Sequence, residues 1–389
     1  MSSSACQWTS LRPAVFSTLL ILCFVVLLYT YYKPEIKFPS FDTYMERANH
    51  SCPTVVCPEA PQIQKSNCST ELHINPNHSD TQKVQTAAVD TEPDTILLIW
   101  MWPFGRKFDA SCDIFNIKRC QVTDDKSLYH KAHGVLFHHR DIHGNLESLP
   151  KEPRPWFQKW VWTNMESPAN SDPISEINHL FNLTCNYRLD SNIPVPYGYL
   201  VPLTSEDESF KLPAKDKLVC WIVSNWNSQF KRVQFYNELK NHVEIHTYGR
   251  AFGQDLSEQD YVKIVSSCKF YLSFENSVYK DYITEKLYRP MSLGTVPVVL
   301  GPSRQQYEDH IPGDSFIHVE DFSTPKELAE RLTYLDQNNS EYMRYLSWRS
   351  RFKVTTSWFG KEHACKTCRY LQNHREYQAF HDLNKWYWG

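Results

Sequence analysis

Short apolar runs alternate with polar loops and helix-length amphipathic segments along most of this chain, and residues 268–303 show the pattern most clearly. An apolar run from Phe270 to Phe274 is followed by a polar loop from Glu275 to Asp281. A helical segment spans about Thr284 to Leu293, and Val296 to Leu300 forms a second apolar run. Strand, loop, helix and strand make one βαβ unit, and such units predict a parallel sheet.

The same alternation recurs on both sides of a polar, proline-containing stretch at 203–216. Before that stretch, apolar runs predict strands at 95–100, 134–137 and 160–162. After it, the pattern predicts strands at 218–224, 243–248 and 316–319, and helices at 232–241 and from 324 or 325 to 338. Two α/β halves of similar size predict two Rossmann-like domains that face each other across a cleft.

The first apolar segment, Ala14 to Tyr32, differs from the others because its 19 residues carry no charge. That length is close to the roughly 20 residues that span a bilayer, so we expect a single-pass membrane anchor with a cytosolic tail at 1–13. A cleaved signal peptide is the alternative, but the bulky residues Tyr29 to Lys33 offer no small-residue cleavage site. Residues 33–93 are polar and contain many Pro, Ser, Thr and Asn residues, which predicts a flexible stem.

The composition after this anchor fits a lumenal position. Cys6 and Cys23 precede the anchor or lie within it, which leaves ten of the 12 cysteines, an even number that suits an oxidising compartment. Asn-x-Ser/Thr sequons predict N-glycosylation at Asn49, Asn67, Asn77, Asn182 and Asn338. The formal net charge of −3 and the lack of a long basic run argue against a nucleic-acid partner.

The C-x-x-C motif at 365–368 has three interpretations: a redox pair, half of a zinc site, or two halves of disulfides. Cys112 and Cys120 could complete a four-cysteine zinc site, but a lumenal context favours two disulfides. Cys220 and Cys268 stand at the start or edge of two strands that we expect to be neighbours, which predicts another disulfide. The cysteines left unassigned are Cys52, Cys57, Cys68 and Cys185.

The polar loop after Phe274 lies where ligands bind in open α/β sheets, outside the carboxyl ends of the strands. This loop and the helix start after it contain Glu275, Asn276, Ser277, Tyr282, Glu285 and Lys286. A carboxylate can accept hydrogen bonds from ribose hydroxyls, whereas a lysine and a helix N-terminus can hold phosphate. This combination predicts a nucleotide-sugar site. On composition alone, the alternative is a buried strand followed by a solvated helix start.

The order of the residues favours the nucleotide-sugar site. Residues 274–302 read F-E-N-S…D-Y-I-T-E-K-L…G-x-V-P-V-V-L-G-P, which resembles the donor-site signature of the α1,3-fucosyltransferases, and weaker similarity covers about 95–389. The resemblance implies the GT-B architecture, with an acceptor domain at 94–210, a GDP-fucose domain at 211–356 and a segment at 357–389 that packs back on the acceptor domain. It also implies two disulfides that join Cys112 and Cys120 to Cys365 and Cys368.

The reaction implied by the resemblance moves L-fucose from GDP-β-L-fucose to O3 of GlcNAc in N-acetyllactosamine, the type 2 disaccharide. The anomeric centre inverts, so a base must accept the acceptor proton while cations stabilise the departing GDP. The segment W-x-N-M-E-S-P resembles the one that carries the family's proposed base, which makes Glu166 the candidate. Arg232 and Lys286 are the candidates for stabilising the diphosphate. His138 and His139 are the alternative proton acceptors.

The family pattern implies further contacts with both substrates. The other donor-binding candidates are Tyr197, Ile222, Ser224, Asn225, Tyr271, Glu275, Asn276, Tyr282 and Glu285. The acceptor-binding candidates, besides Glu166, are Arg106, His139 and Arg140, because the H-H-R-D-I motif resembles members that favour type 2 acceptors. No convincing Asp-x-Asp motif lies at a predicted strand end, so we expect no required metal ion or cofactor and leave open stimulation by a divalent ion. Pro290 departs from the family pattern and predicts a shortened or bent donor helix.

Alternative activities and partners stay open on sequence alone. The nearest alternative is the same chemistry on the core GlcNAc of N-glycans or on a protein hydroxyl. An alternative from another class is a non-catalytic, membrane-tethered glycan-binding protein. A lumenal catalytic part behind an anchor at 14–32 predicts a single-pass type II protein of the Golgi membrane, and a homodimer is left open.

Overall fold

The computed structural model describes residues 95–205, 207 and 209–389. The expected cytosolic tail, membrane anchor and stem fall outside the described residues. So do the sequons at Asn49, Asn67 and Asn77 and the cysteines Cys52, Cys57 and Cys68. Within the described part, no helix combines the length and the apolar character that crossing a bilayer requires.

The described chain has an α/β fold with two parallel sheets, as the sequence pattern predicts. The first sheet has six strands in the order β2-β1-β3-β4-β5-β6, all parallel to their neighbours. Its strands are β1 Thr95–Ile99, β2 Cys120–Thr123, β3 Gly134–His138, β4 Lys159–Asn164, β5 Leu183–Asn186 and β6 Ile193–Pro194. The central strands β3 and β4 are buried along their whole length, which explains their nearly continuous apolar sequence.

The second sheet has five parallel strands in the order β12-β11-β10-β8-β9. They are β8 Lys217–Ile222, β9 Ile245–Tyr248, β10 Cys268–Phe274, β11 Val296–Leu300 and β12 Ile317–His318. The helices that accompany this half of the chain are α1 Lys231–Leu239, α2 Glu258–Ser267, α3 Glu285–Ser292, α4 Arg304–Glu308, α5 Pro325–Gln337 and α6 Asn339–Arg344. The βαβ unit predicted at 268–303 is present as β10, α3 and β11.

A small antiparallel sheet joins chain segments that the sequence analysis leaves unassigned. It consists of β7 Gly198–Pro202 and β13 Phe352–Thr356. Both strands are only partly buried, and each pairs with a segment distant in sequence, so neither has the local apolar pattern of a core strand.

The C-terminal segment contributes α7 Lys361–Asn373 and α8 Leu383–Trp388. Helix α7 packs Ala364 and Leu371 into a core with side chains of the first sheet. Three disulfides are present, joining Cys112 to Cys365, Cys120 to Cys368, and Cys220 to Cys268. Two of them therefore fasten α7 to the region around β2. Cys185 is buried and has a free thiol.

Helix α3 is short, as the proline within it predicts. Thr284 caps its first turn by accepting a hydrogen bond from the Lys286 amide. Pro290 lies near the C-terminal end, where its missing N–H removes one helical hydrogen bond. Gly294 follows with a φ of 77°, a conformation that glycine adopts without strain, and this ends the helix.

The sequon at Asn182 lies on a buried side chain of the first sheet's core region. Asn182 is only 7% exposed. Its Oδ1 accepts hydrogen bonds from Arg154 Nη1 at 2.8 Å and from the Trp160 amide at 2.7 Å, and its Nδ2 donates to the Gln378 carbonyl at 2.7 Å. The side chain therefore stabilises the contact between these segments, and its glycosylation stays a prediction. The sequon at Asn338 stays a prediction.

Two loops from different halves of the chain meet at Asp190. Its carboxylate accepts hydrogen bonds from Arg188 at 2.7 and 2.8 Å and from Lys280 at 2.8 Å. The neighbouring Leu189 amide donates to Asp281 at 3.0 Å. Burial alone would raise the pKa of Asp190, but Arg188 and Lys280 outweigh it and lower the pKa to about 2. The ionised carboxylate therefore stabilises this contact.

We expect Asp190→Asn to destabilise the folded chain at neutral pH and to lose that effect in acid. The pKa is lower in the folded chain, so the stabilisation is present above the ordinary pKa near 4 and declines as the pH falls toward 2. The side chain is partly exposed, so screening limits the effect to about 1 kcal/mol. Thermal unfolding at pH 7 and pH 3 measures it, with Glu341→Gln in an exposed ion pair as control. A difference that stays constant between the two pH values would contradict this account.

Candidate active-site cleft

Two adjacent cavities form a cleft at the carboxyl ends of strands in both parallel sheets. The larger has a volume of about 550 Å³ and the smaller about 380 Å³. Asn276, Glu285 and Lys286 line both, so the cavities meet at the loop after β10 and the first turn of α3. A ligand that filled both would cross this junction. Such a position outside the strand ends is typical of ligand sites in α/β folds.

The smaller cavity brings together most of the residues predicted to bind the donor. Those among its lining residues are Ile222, Ser224, Asn225, Arg232, Tyr271, Asn276, Glu285 and Lys286. Residues 222–225 end β8 and begin the loop after it, whereas Arg232 lies in the first turn of α1. The sequence thus brings three separate segments to one cavity by ending parallel strands at the same edge.

Arg232 is the most buried cation of the smaller cavity, with 4% of its surface exposed. One terminal nitrogen donates to the Asn225 carbonyl, while Nε has no hydrogen-bond partner among the described residues. Burial lowers the pKa of Arg232 below its ordinary value, and the nearby Glu275 opposes that change. A buried guanidinium with an unused donor is suited to an anionic ligand, which it can grip with two nitrogens.

Lys286 is held between two carboxylates at the junction of the cavities. Its Nζ lies 3.3 Å from Glu275 and 3.0 Å from Glu285, and it donates to Thr284 Oγ1 at 2.9 Å. Burial alone would lower the pKa of Lys286, but the two carboxylates outweigh it and raise the pKa above its ordinary value. The ammonium is therefore charged and fixed in place where both cavities can reach it.

Glu275 does not line either cavity, which corrects its assignment as a donor-binding residue. It is buried beneath Lys286 and accepts hydrogen bonds from the Thr284 amide at 2.8 Å and from Thr284 Oγ1 at 2.9 and 3.0 Å. Burial raises the pKa of Glu275, and Lys286 opposes that increase. Its carboxylate is engaged by Thr284 and Lys286, and Glu275 is among the lining residues of neither cavity. Glu275 is a positioning residue for the start of α3 and for Lys286.

Glu166 lines the larger cavity together with the junction residues Asn276, Glu285 and Lys286. Tyr197 and Tyr282, expected as donor contacts, and Arg106, expected as an acceptor contact, line the same larger cavity, and their roles stay predictions. The backbone around Glu166 is fixed by three contacts: its amide donates to Asn164 Oδ1 at 3.1 Å, its carbonyl accepts from Tyr387, and the Met165 carbonyl accepts from Tyr197. The carboxylate itself accepts no hydrogen bond within the described chain and is 33% exposed.

A hydroxyl pair joins the two walls of the cleft. The Ser167 and Ser277 hydroxyl oxygens are 2.7 Å apart, and either can be the donor. Ser167 follows Glu166, and Ser277 follows Asn276, so this contact links the loop that carries Glu166 to the loop after β10. The sequence shows both segments but gives no sign that they touch.

His139 is a structural residue, which corrects its assignments as acceptor contact and alternative base. It is buried, its Nε2 lies 2.9 Å from the Asp172 carbonyl, and its Nδ1 accepts from Trp162 Nε1 at 3.2 Å. Burial lowers the pKa of His139 to about 4, so it is neutral at pH 7. His138 lines the larger cavity, but its Nδ1 is 2.6 Å from Asp141 and burial also lowers its pKa.

Arg140 borders the larger cavity without lining it. One of its terminal nitrogens lies 4.0 Å from Glu166 Oε1, and its guanidinium carbon lies 5.6 Å from the centre of the Phe104 ring. Arg140 therefore lies at the outer limit of ion-pair distance from the candidate base. Its assignment as a direct acceptor contact stays a prediction.

Several residues that line the cleft escaped the sequence analysis. In the larger cavity these include Phe104, Lys107 and Phe359, and in the smaller cavity they include Tyr261 and Arg289. Arg289 lies three residues after Lys286 and one turn away, so helical spacing alone could have indicated it. Phe359 comes from the segment before α7, and no local pattern reveals that this segment returns to the cleft.

Two family models match this chain. One, described as "Glycosyltransferase family 10 (fucosyltransferase) C-term", matches residues 212–386, and the other, "Fucosyltransferase, N-terminal", matches residues 92–198. The chain belongs to glycosyltransferase family 10, the fucosyltransferases. Most of the chain that the two family models match is also described by the structure, including every cavity-lining residue named above.

Curated relatives cover most of this family 10 chain. A rat protein named "4-galactosyl-N-acetylglucosaminide 3-alpha-L-fucosyltransferase 9" is 54% identical over 298 residues, which are 76% of this chain and 83% of the relative. The human protein of the same name is 53% identical over the same shares of the two chains. A bovine protein named "3-galactosyl-N-acetylglucosaminide 4-alpha-L-fucosyltransferase FUT3" is 43% identical over 299 residues, 75% of this chain and 81% of the relative.

Solved structures include a crystal structure of an alpha1,3-fucosyltransferase with GDP-fucose. It aligns to 76% of this chain and 95% of its own with a TM-score of 0.49 and 18% sequence identity. A second structure, titled as the same enzyme with GDP, aligns to 74% of this chain and 92% of its own with a TM-score of 0.49 and 17% identity.

We expect Glu275→Gln to weaken anion binding in the smaller cavity without unfolding the chain. The amide can still accept from Thr284, but it removes the buried charge that raises the pKa of Lys286 and holds its ammonium. Titration calorimetry with inorganic pyrophosphate should show about tenfold weaker binding. Glu341→Gln, at an exposed ion pair, is the matched control. Wild-type affinity for pyrophosphate in Glu275→Gln would show that Lys286 does not need the buried Glu275 carboxylate to bind an anion.

Proposed function

We propose that this chain is an inverting glycosyltransferase that moves L-fucose from GDP-β-L-fucose to O3 of GlcNAc in N-acetyllactosamine. The product is an α1,3-fucosylated Lewis x-type glycan on a glycoprotein or glycolipid. The two parallel sheets act as the two domains of a GT-B enzyme, with GDP-fucose held on the side of the second sheet. The anchor at 14–32 holds the enzyme in the Golgi membrane with the catalytic part in the lumen.

One observation carries this proposal: two cations and a candidate base line the same pair of adjoining cavities. Arg232 and Lys286 bind the diphosphate of the donor in the smaller cavity, where no exposed carboxylate other than Glu285 competes with them. Glu166 faces the larger cavity, where the acceptor enters. The anomeric carbon then lies near Asn276 and Lys286, where the cavities meet.

Acid–base catalysis and leaving-group stabilisation are carried out by different residues of the cleft. Glu166 accepts the proton of the attacking GlcNAc hydroxyl, while Lys286 and Arg232 stabilise the negative charge that develops on departing GDP. The attacking and leaving groups are on opposite faces of the fucose ring, so a β-linked donor gives an α-linked product. The transition state has oxocarbenium character, and the nearby carboxylates of Glu166 and Glu285 favour it electrostatically.

The acceptor assignment is supported by the names of the relatives. Proteins that are 53–54% identical are named for 3-fucosylation of a 4-galactosyl-N-acetylglucosaminide, which is the type 2 disaccharide. The relative named for the 3-galactosyl isomer is 43% identical. We therefore propose a type 2 acceptor, with the core GlcNAc of N-glycans and a protein hydroxyl as the alternatives to be tested.

Acceptor choice is measured with the full-length chain in detergent, GDP-fucose, and a panel of type 2, type 1, sialylated type 2 and core N-glycan acceptors. We expect fucose on O3 of the GlcNAc in the type 2 acceptor, identified by mass and NMR linkage analysis. EDTA should leave most of the activity, because Arg232 and Lys286 supply the charge for the diphosphate. Exclusive transfer to core GlcNAc would contradict the acceptor assignment. Binding of a lactosamine glycan without turnover would support a glycan-binding protein instead.

We expect Glu166→Gln to reduce kcat by about 100- to 10,000-fold, because the amide cannot accept the acceptor proton. Affinity for GDP should stay at the wild-type value, since Glu166 is not part of the smaller cavity. Glu176→Gln, a change at an exposed carboxylate in the same half of the chain, is the matched control. Wild-type turnover by Glu166→Gln would contradict its role as base.

A further inference from the structure

Two half-exposed phenylalanines present roughly parallel aromatic rings in the larger cavity. Phe104 is 49% exposed and Phe359 is 47% exposed, and both line the cavity. Their ring centres are 6.5 Å apart with an angle of 26° between the planes, so the rings present roughly parallel faces. Neither ring lines the smaller cavity, where Arg232 lies. We call this pair the aromatic platform.

The backbone of Phe104 is held in a conformation that phenylalanine disfavours. Its φ of 53° and ψ of 29° are in the left-handed region, where side chains other than those of Gly, Asn and Asp are uncommon. Asp141 Oδ2 accepts a hydrogen bond from the Phe104 amide at 2.9 Å and lies 2.6 Å from His138 Nδ1. The His138 ring packs edge-on against Phe104 at 4.8 Å. Strain that the surroundings maintain is characteristic of functional sites.

The platform is close to the candidate base. The Arg140 guanidinium lies 5.6 Å from the centre of the Phe104 ring, and the same group lies 4.0 Å from Glu166 Oε1. Glu166 and the Phe104 ring therefore both lie near the guanidinium of Arg140. A sugar that presents its hydroxyl to Glu166 would place its neighbouring sugar ring within reach of Phe104 and Phe359.

The chemistry of the platform selects among the sugars of a type 2 acceptor. In β-galactose the axial O4 leaves the C–H groups of C3, C4 and C5 together on one face, which makes that face apolar. In GlcNAc all ring substituents are equatorial, so no face has such a concentrated C–H patch. Aromatic faces carry negative charge density and attract C–H groups, and they gain from burying apolar area.

We propose that Phe104 and Phe359 bind the galactose of the acceptor through its apolar face, and that Asp141 positions Phe104 for this contact. The inference rests on the proposed function and deepens it. Galactose bound there places the O3 hydroxyl of the attached GlcNAc at Glu166. The platform then favours the disaccharide over GlcNAc alone by lowering the free energy of the bound acceptor.

The test compares two acceptors, N-acetyllactosamine and the methyl β-glycoside of GlcNAc, which lacks galactose. Phe104→Gly removes the ring while keeping a residue that adopts positive φ without strain, so the loop is not destabilised by the change. We expect the ratio of kcat/KM for the disaccharide over that for the monosaccharide to fall about tenfold. Phe104→Trp should retain the preference, and Asp141→Asn should reduce it in part. Phe157→Ala, at an exposed aromatic outside the cleft, is the control that should leave the ratio at the wild-type value.

The outcomes separate this inference from the proposed function. An unchanged ratio in Phe104→Gly, or an equal loss on both acceptors, would overturn the platform while leaving fucosyl transfer intact. Absence of transfer by the wild-type chain to either acceptor would overturn the proposed function. The same variants would then be compared by saturation-transfer NMR with N-acetyllactosamine. Loss of the galactose C–H signals in Phe104→Gly would still support the platform, and their persistence would overturn it.

Discussion

The ion cluster beneath the cleft is the interaction on which the rest of the site depends. Lys286 is fixed between Glu275 and Glu285. The Thr284 hydroxyl accepts a hydrogen bond from Lys286 and donates one to the buried carboxylate of Glu275. A lone buried ammonium would be costly, but two carboxylates and a hydroxyl satisfy it. The charge is thus held in place where the two cavities meet, which is where the proposed reaction needs it.

The fold maintains this arrangement by connecting the two sides of the cleft in several places. Ser167 and Ser277 link the base-bearing loop to the loop after β10, and Asp190 bridges Arg188 to Lys280. The small sheet of β7 and β13 adds a backbone connection, and two disulfides secure α7 against the first sheet. Electrostatic stabilisation is most effective when charges are placed before the substrate arrives, because no reorganisation is then required.

Much of this organisation follows from the sequence. In the βαβ unit at 268–303, the spacing of apolar residues and the Gly and Pro residues at the boundaries predict β10, α3 and β11. The ends of the predicted strands indicate where polar side chains come together. The family resemblance supplied the disulfide partners and the candidate base, which spacing alone leaves open. The helix-shortening effect of Pro290 also follows directly from its chemistry.

The errors share one physical cause, which is that burial is decided by distant parts of the chain. Glu275 and His139 have the residue types of a binding site, but Thr284 and Trp162 occupy their polar atoms. Phe104 and Phe359 become neighbours only when the C-terminal segment returns to the first sheet.

The central claim is that Glu166 and Lys286 act on the two substrates from opposite sides of one cleft. A crystal structure of the full chain with GDP-fucose and N-acetyllactosamine, using Glu166→Gln to prevent turnover, measures this most directly. The account predicts the GlcNAc O3 about 3 Å from the side chain at position 166, with the diphosphate in contact with Arg232 and Lys286. An acceptor bound with O3 away from position 166, or a diphosphate that touches neither cation, would contradict it.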